Sequence, residues 1–519
     1  MVQTAAVEPA HPAHPATPAR RRRRQPAATG IAQELASTLG LDGERMSKVD
    51  TAWLRMDSPS NLMMIVGVWL LRPGIGLADL RDRVRERLLP YRRFTQIARQ
   101  DMAGAAWIDD PHFRIDHHVV ARPLERRRGQ SARAALQARV GELALQRLDP
   151  DRPLWQFELV EQHDGGSALI ARIHHCIGDG IALISVMMSL VDGGNAPVRR
   201  KSRARKAGIE AAEDWLADSL IRPLGDITAR ALEVAGGSAA RSLALMASPQ
   251  QGLNESIDQA AHVARLGGQL VSDLADLALM PDDSPTRLKG QPGTAKKVAW
   301  CEPIPLDRVK AIGKALNCSV NDVLLSCVAG AIGAYLREFG DDTRGQEIRA
   351  MVPINLRPMS EAWQLGNRFG LVPLVLPIGI ENPIERVFEV RRRMNALKGS
   401  LQPILTFGLL SLAGLLVKPA QDALLALFGR KTTAVMTNVP GPGEKLRFCG
   451  ATLEQTMFWV PQTGTVGLGV SILSYGGGVQ FSVIADTGLC PEPQRIIDRF
   501  DPEFNRLLTL TLMLPWGEA

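Results

Sequence analysis

The chain has 519 residues, 45% of them hydrophobic and 22% charged, which excludes a largely disordered or fibrous protein and leaves room for two or more domains. Its six cysteines are scattered without a CxxC pair, so reduced thiols are expected rather than a disulfide scaffold or a zinc site. The net charge of +7 gathers in two runs, Arg20 to Arg24 and Arg199 to Lys206. Neither run has interleaved aromatics, so both read as tail and linker rather than as a nucleic-acid surface.

In chain order, residues 1–42 form an Ala/Pro/Arg-rich leader that reads as disordered or loosely attached. No apolar h-region follows its arginines, which argues against a secretory signal, while its acid-poor, Arg-rich composition also fits a transit peptide. Order is expected from near Met46, with a helix over Ser47–Leu54, a turn at Asp57–Asn61 and a strand over Leu62–Leu71. Helical patterning recurs over Leu77–Leu88 and Gln130–Arg147. Two apolar stretches, Phe157–Gln162 and Ser167–His175, flank "HDGG" (His163–Gly166) and predict a β-hairpin. Ile181–Val191 has the content of a buried helix.

Residues 193–295 change character, basic at first and then rich in Ala, Leu and Ser. They predict a helical connector between an N-terminal lobe over 43–192 and a C-terminal lobe over 296–515. The second lobe opens with the apolar segment Lys297–Ile304 and continues with a long helix over Cys318–Phe339, where Ser319 and Asp322 have cap spacing. Its predicted strands are Ile348–Ile354, Gly370–Ile378, Thr433–Val439, Leu453–Trp459, Val466–Ser474 and Val479–Asp486. The uncharged run Gly399–Val417 approaches the length of a membrane span. Ser, Gln and Pro near its start shorten its apolar part to Ile404–Val417, which suits a buried or interfacial helix better. Alternating elements in two lobes imply an α/β (α+β) architecture with the site between them.

The chemistry concentrates in "IHHCIGDG", Ile173–Gly180. On a strand, consecutive side chains point to opposite faces, so His174 and His175 cannot share one cavity, and alternation alone leaves open which of them faces it. A neutral imidazole is well matched to taking a proton from a hydroxyl near neutral pH. Asp179 falls where strand turns into helix, a place for a carboxylate that fixes the turn, and Gly180 permits close backbone approach. Two plainer readings stand beside this one: the histidines as satisfied core residues, and Cys176 as a covalent nucleophile.

The segment fits HHxxxDG, the signature of acyltransferases built like chloramphenicol acetyltransferase and of peptide-synthetase condensation domains. The surrounding blocks resemble those of the bacterial wax ester synthase/diacylglycerol acyltransferase family: "RPLW" (Arg152–Trp155), "VNDVLL" (Val320–Leu325), "PINLRP" (Pro353–Pro358), "LGNRFG" (Leu365–Gly370) and "TNVPGP" (Thr437–Pro442). The resemblance runs from about Met46 to Leu510. It implies two chloramphenicol acetyltransferase-like lobes with mixed sheets and a tunnel between them. By motif position His175 is the general base, with His174, Asp179 and Gly180 in support, and neither an acyl-enzyme nor a metal is implied.

The resemblance also implies long-chain acyl-CoA as a substrate, no separate cofactor, and diacylglycerol or a fatty alcohol as acceptor. A cytoplasmic place at the inner face of the membrane or on lipid inclusions goes with it, and no nucleic acid. Asn321, Asp322, Asn438, Arg357 and Arg368 are candidate substrate contacts. Asn321 and Asp322 equally fit a capped helix, Asn438 a rigid turn, and the arginines either a CoA phosphate or a core carboxylate. Two other functions remain open, a carrier-dependent condensation-type transferase and a non-catalytic lipid-binding protein.

Overall fold

The computed structural model describes residues 43–101, 104–194, 279–357, 364–397, 402–416 and 418–514. The expected leader, and 195–278 of the expected connector with its basic run, lie outside the described residues.

The first lobe begins with β1 (Glu44–Arg45) and α1 (Lys48–Arg55), whose first turn is capped by the Ser47 hydroxyl accepting from Asp50 N at 3.0 Å. β2 (Met64–Arg72), α2 (Leu77–Arg87), β3 (Gln96–Asp101), β4 (Gly104–Asp109), the one-turn α3 (Ile115–His118) and β5 (Val119–Ala121) follow. After α4 (Ala132–Leu143) comes the predicted hairpin, β6 (Trp155–His163) and β7 (Gly166–His174), leading into α5 (Gly180–Leu190). Asp164 and Gly165 form its two-residue turn with φ of 48° and 74°, the positive values for which Asp-Gly is suited.

The second lobe's chain supplies β8 (Lys296–Trp300), β9 (Ile304–Pro305), α6 (Leu306–Ala315), α7 (Val320–Glu338), β10 (Ile348–Asn355) and β11 (Phe369–Leu376). Three helices follow, α8 (Pro383–Leu397), α9 (Gln402–Ala413) and α10 (Lys418–Arg430), then β12 (Ala434–Pro440), β13 (Arg447–Phe448), β14 (Ala451–Trp459), β15 (Leu468–Tyr475), β16 (Gly478–Asp486) and α11 (Pro493–Leu512).

Among the described residues the strands form two large mixed sheets and a small one, β1-β4-β3. The first large sheet runs β13-β14-β2-β7-β6-β5 and is antiparallel except where β5 meets β6. The second runs β11-β10-β12-β15-β16-β8, with β9 also on β16, and is parallel on both sides of β12. The predicted strand Leu453–Trp459 therefore belongs to β14 of the first sheet, paired with β2 through Thr456 and Trp69. Side-chain alternation carries no information on which sheet a strand joins, so the sequence placed it in the second lobe.

Both faces of the first sheet are covered, which is why β7 is buried along its whole length. Leu169, Ala171 and Ile173 share a core with Trp53, Ile65 and Leu183. Ala168 and Ile170, on the other face, pack with Val66, Leu136 and the second sheet's Val298 and Trp300. The expected connector differs where it is described: residues 280–295 are not helical and are tied to the second lobe by Asp283, which accepts from Thr433 Oγ1 (2.6 Å) and Arg349 N (2.8 Å).

α7 begins in a capping box, with Asp322 N donating to Ser319 Oγ (3.2 Å) and Ser319 N to Asp322 Oδ2 (2.8 Å). It is long and apolar enough to cross a membrane, but 78% of its apolar window is buried inside the protein, as in a core helix. α9, from the uncharged run, lies against the edge strand β11. A Cβ on Gly370 would sit 1.8 Å from Pro403 O, so glycine permits that approach. There the Thr406 hydroxyl accepts from Leu371 N (2.7 Å) and donates to Leu371 O (2.9 Å), satisfying an edge residue.

Candidate active site

β7 ends at His174, whose N–H donates to Leu154 O (2.9 Å), while His175 N donates to Met63 O (2.7 Å). The two imidazoles diverge, as strand geometry requires. His174 Nδ1 accepts from Cys176 N at 3.2 Å, so its proton is on Nε2, 3.4 Å from Asp57 Oδ1. Burial raises Asp57, but the bond and charge of His174, Met63 N–H and Arg147 outweigh it and hold the carboxyl below its usual range.

His175 turns the other way, into a cavity of about 210 Å³. Its ring stacks on Trp53, centroids 4.1 Å apart at 18°, and lies 5.5 Å from Phe369. Burial pushes its pKa down to about 4, the negative charge of Asp179 opposing the shift. The ring is therefore neutral across the physiological range. Nδ1 is enclosed, which leaves Nε2 as the atom for chemistry.

Asp179 caps α5, with Oδ1 accepting from Ala182 N at 2.9 Å. Arg357 from the second sheet reaches Oδ1 through Nη1 (3.1 Å) and Oδ2 through Nη2 (3.1 Å), and Arg368 N donates to Oδ2 (2.9 Å). The turn is stitched to the 364–368 segment: Gly366 N donates to Ile177 O (3.0 Å), Asp179 N to Gly366 O (3.4 Å) and Arg357 Nη2 to the same oxygen (2.8 Å). Gly366 has φ of 103°, which favours glycine. Next to it, Asn367 Nδ2 donates to both Asp50 Oδ1 and His175 O, each at 2.7 Å.

The cavity wall away from these groups is apolar, formed by Leu409, Leu410, Leu424, Leu425 and Phe428 of α9 and α10. Asn438 lines it at the end of β12, and its Nδ2 donates to Asn321 Oδ1 at 3.0 Å. Gly180 lines it too, but a Cβ there would meet nothing within 4 Å. No protein backbone approaches it closely, contrary to the sequence reading; the position leaves open space.

The structure thus brings His175, Asp179, Gly180 and Asn438 to one cavity and puts His174 behind it. Asn321 touches the cavity residue Asn438, whereas Asp322 is engaged in the helix cap. Arg357 serves a core carboxylate, Asp179, and Arg368 contributes its backbone N–H to the same group. Cys176 is fully enclosed, and burial pushes its thiol well above the ordinary value. Among the described residues no group of three His, Cys, Asp or Glu side chains is placed to hold a metal.

Sequence reasoning missed Trp53, Phe369, Asp50 and Asn367. Asp50 looked like an ordinary first-turn acid, and Asn367 stood in the quoted "LGNRFG" block beside the more conspicuous Arg368. The Gly366-Asn367 dipeptide, a turn-forming pair, was the available signal.

Two mixed-sheet lobes meeting at an HHxxxDG turn, with a neutral histidine on an apolar cavity, define the chloramphenicol acetyltransferase-like class of acyltransferases. Residues 46–324 match the wax ester synthase/diacylglycerol acyltransferase catalytic domain, and residues 365–508 the C-terminal domain of the same family. The chain belongs to the wax ester synthase/diacylglycerol acyltransferase family, and it is an O-acyltransferase.

Among its relatives, the probable diacylglycerol O-acyltransferase tgs1 of Mycobacterium tuberculosis is 25% identical over 434 residues, 82% of this chain and 87% of that protein. The probable diacylglycerol O-acyltransferase tgs2 of the same species is 26% identical over 475 residues, 88% and 97% of the two chains. In fold the protein is similar to the wax ester synthase/diacylglycerol acyltransferase of Marinobacter aquaeolei VT8, with a TM-score of 0.60 at 19% identity, covering 90% of this chain and 100% of that one. It is also similar to the first condensation domain of the calcium-dependent antibiotic synthetase, TM-score 0.54 at 14% identity, over 91% and 96% of the chains.

Proposed function

We propose that the protein transfers the acyl group of a long-chain acyl-CoA directly to the hydroxyl of diacylglycerol or a long-chain alcohol, giving triacylglycerol or wax ester. The observation that carries this reading is the His175 ring, neutral through burial, set in the wall of a cavity whose remainder suits alkyl chains. His175 Nε2 takes the acceptor's hydroxyl proton as its oxygen bonds to the thioester carbonyl carbon. Collapse of the tetrahedral intermediate breaks the C–S bond, and the proton passes from Nε2 to the departing CoA sulfur. Atoms and charge balance without an acyl-enzyme, a metal or a separate cofactor.

His174 and Asp179 keep the turn in place. Asn438, held by Asn321, is one of the polar groups on the largely apolar wall and contacts the polar end of a substrate. Peripheral binding to the inner face of a membrane or to lipid inclusions goes with this reading because its acceptor and product partition there.

The test is to incubate purified protein with palmitoyl-CoA and either dioleoylglycerol or hexadecanol while following free CoA. Acceptor-dependent release is expected. Its absence with both lipids would sink the reading, and release only from an acyl group on a carrier protein would favour a condensation-type transferase.

A further inference from the structure

When His175 Nε2 takes the proton of the acceptor hydroxyl, the imidazole becomes a cation, and it stays one until the proton passes to the departing sulfur. Burial makes that charge costly, since the ring resists protonation until a pH of about 4. Something must meet the charge while it lasts. Asp179 favours it, but both oxygens of that carboxylate are engaged by Arg357, whose own positive charge offsets the field. His174 opposes the charge, and its ring faces Asp57 on the far side of the strand.

What touches the ring directly is aromatic. Trp53 of α1 lies flat against it, with centroids 4.1 Å apart and planes inclined by 18°. Phe369 is farther away and oblique, 5.5 Å at 47°. The π face of an indole is negative and attracts a cation more strongly than the face of tyrosine or phenylalanine; the attraction reaches to about 6 Å and is largest where water is excluded. Trp53 and His175 are each only 4% exposed. The contact is therefore well within range and dry.

Hydrogen bonding does not account for tryptophan at this position. Its Nε1 is enclosed and has no hydrogen-bond partner among the described residues, a cost that phenylalanine or leucine would not carry. The ring face is what the position uses. That face is also held in place: Asp50, in the first turn of α1, accepts from Asn367 N (3.0 Å) and Nδ2 (2.7 Å), while Gln421 Nε2 of α10 donates to Ala52 O (3.1 Å), next to Trp53 in the chain. The turn after α9 closes on the same helix, where a Cβ on Gly414 would fall 1.8 Å from Lys48 O.

We propose that Trp53 is a positioning residue of the catalytic base that also stabilises its charged form: the indole face holds the His175 ring and attracts the imidazolium formed as Nε2 accepts the hydroxyl proton, lowering the barrier to that transfer. The inference rests on His175 being the base.

The experiment uses the full chain and follows free CoA in a single turnover with palmitoyl-CoA and either dioleoylglycerol or hexadecanol, which reads the chemistry apart from product release. His175→Ala, Trp53→Phe and Trp53→Leu are compared with wild type. Trp53→Leu should slow the step by about 5- to 30-fold, the span of a desolvated cation–π contact, and Trp53→Phe, which keeps a weaker face, should fall between. The decisive measurement changes charge without changing shape. Every tryptophan is replaced biosynthetically by 5-fluorotryptophan, which draws electron density from the indole face, in both the wild-type and the Trp53→Phe chain. Fluorination should slow the wild-type step by about twofold or more and leave Trp53→Phe unchanged, a difference that a merely structural tryptophan would not produce.

Turnover surviving in His175→Ala overturns the base and the reading that depends on it. If instead His175→Ala is dead while fluorination acts equally on the wild-type and Trp53→Phe chains, the base stands and the role of the indole face is overturned. A fluorinated wild-type chain that reacts at the unfluorinated rate overturns it as well, and that comparison needs neither Trp53 variant to fold.

Discussion

Arg357 Nη1 lies 3.1 Å from Asp179 Oδ1 and Nη2 lies 3.1 Å from Oδ2, so an arginine following β10 of the second sheet clamps the carboxylate that caps α5 of the first lobe. Both side chains are almost wholly buried, 1% and 6% exposed. In such a setting the value of the pair lies less in attraction than in the damage left when one member goes. The clamp also delivers a hydrogen bond to Gly366 O, tying the histidine turn and the 364–368 segment to one guanidinium.

Arg357→Ala should therefore destabilise the protein by about 3–5 kcal/mol, the usual cost of stranding one charge of a buried pair. Arg357→Lys should lose a smaller part, because a lysine keeps the charge but not the fork that spans both carboxylate oxygens. Urea unfolding midpoints check both. An Arg357→Ala protein as stable as wild type would show that the clamp contributes nothing.

His175 makes a prediction about pH whose sign follows from its depressed pKa. The unfolded chain protonates this group near the ordinary value of about 6.5, whereas the folded protein resists until about 4. The contribution to stability is present above the unfolded value and is lost as pH falls from 6.5 toward 4. At about 1.4 kcal/mol per pKa unit this amounts to about 3 kcal/mol. Measured against His175→Ala, the wild-type protein should lose that amount between pH 6.5 and 4. Over the same range its kcat should show no histidine-like acid limb near 6.5.

Asp50 pulls the other way. Burial raises its pKa to about 6, with the Asn367 and Ser47 bonds opposing the shift, so the folded state holds this proton more tightly than the unfolded chain does. Its contribution is present below the unfolded value and is lost as pH rises through about 6. In the His175→Ala background, where the opposing histidine is gone, stability from this group should rise as the pH is lowered from 6 to 4. Unfolding free energies of His175→Ala against the double variant His175→Ala/Asp50→Asn across that range would show it, and parallel curves would refute it.

Cys176 sits inside the motif but should be dispensable. Its thiol is enclosed and pushed far up by burial, and the nearby imidazole nitrogen of His174 receives the Cys176 backbone N–H instead of addressing the sulfur. Cys176→Ala should keep kcat within about threefold of wild type while costing on the order of 1 kcal/mol of packing. Loss of turnover in a variant that is folded by circular dichroism would instead make the thiol a participant.

Much of this was legible from residues alone, and the reasons are local. The hairpin was marked by Asp164-Gly165, the cap of α7 by Ser319 and Asp322, and the divergence of His174 and His175 by the two-residue period of a strand. Each is a statement about neighbours in the chain. What the sequence did not show was non-local: that β14 crosses to pair with β2, that Arg357 seeks Asp179 across 178 positions, and that Asn367 meets Asp50 across 317. Strand alternation and helix periodicity report which face is buried and are silent on what it is buried against. α8 and α11, rich in charge among their apolar positions, were likewise not separated from their surroundings.

The contact of α9 with β11 offers a last prediction, in which two glycines, one on β11 and one within α9, should respond with opposite signs. At Gly370 a methyl group would fall 1.8 Å from Pro403 O, so Gly370→Ala must drive α9 off the edge strand and break the Thr406–Leu371 pairing. Overpacking of this kind costs typically 1–3 kcal/mol, and because Thr406, Leu409 and Leu410 line the cavity, KM for palmitoyl-CoA should rise. At Gly408, within α9, a Cβ would meet nothing within 4 Å. Gly408→Ala should therefore stabilise by roughly 0.5–1 kcal/mol, the gain of alanine over glycine in a helix. Unfolding midpoints and palmitoyl-CoA kinetics of the two single variants test the pair together. A Gly370→Ala enzyme with unchanged KM and stability would mean that α9 is not held against β11 in this way.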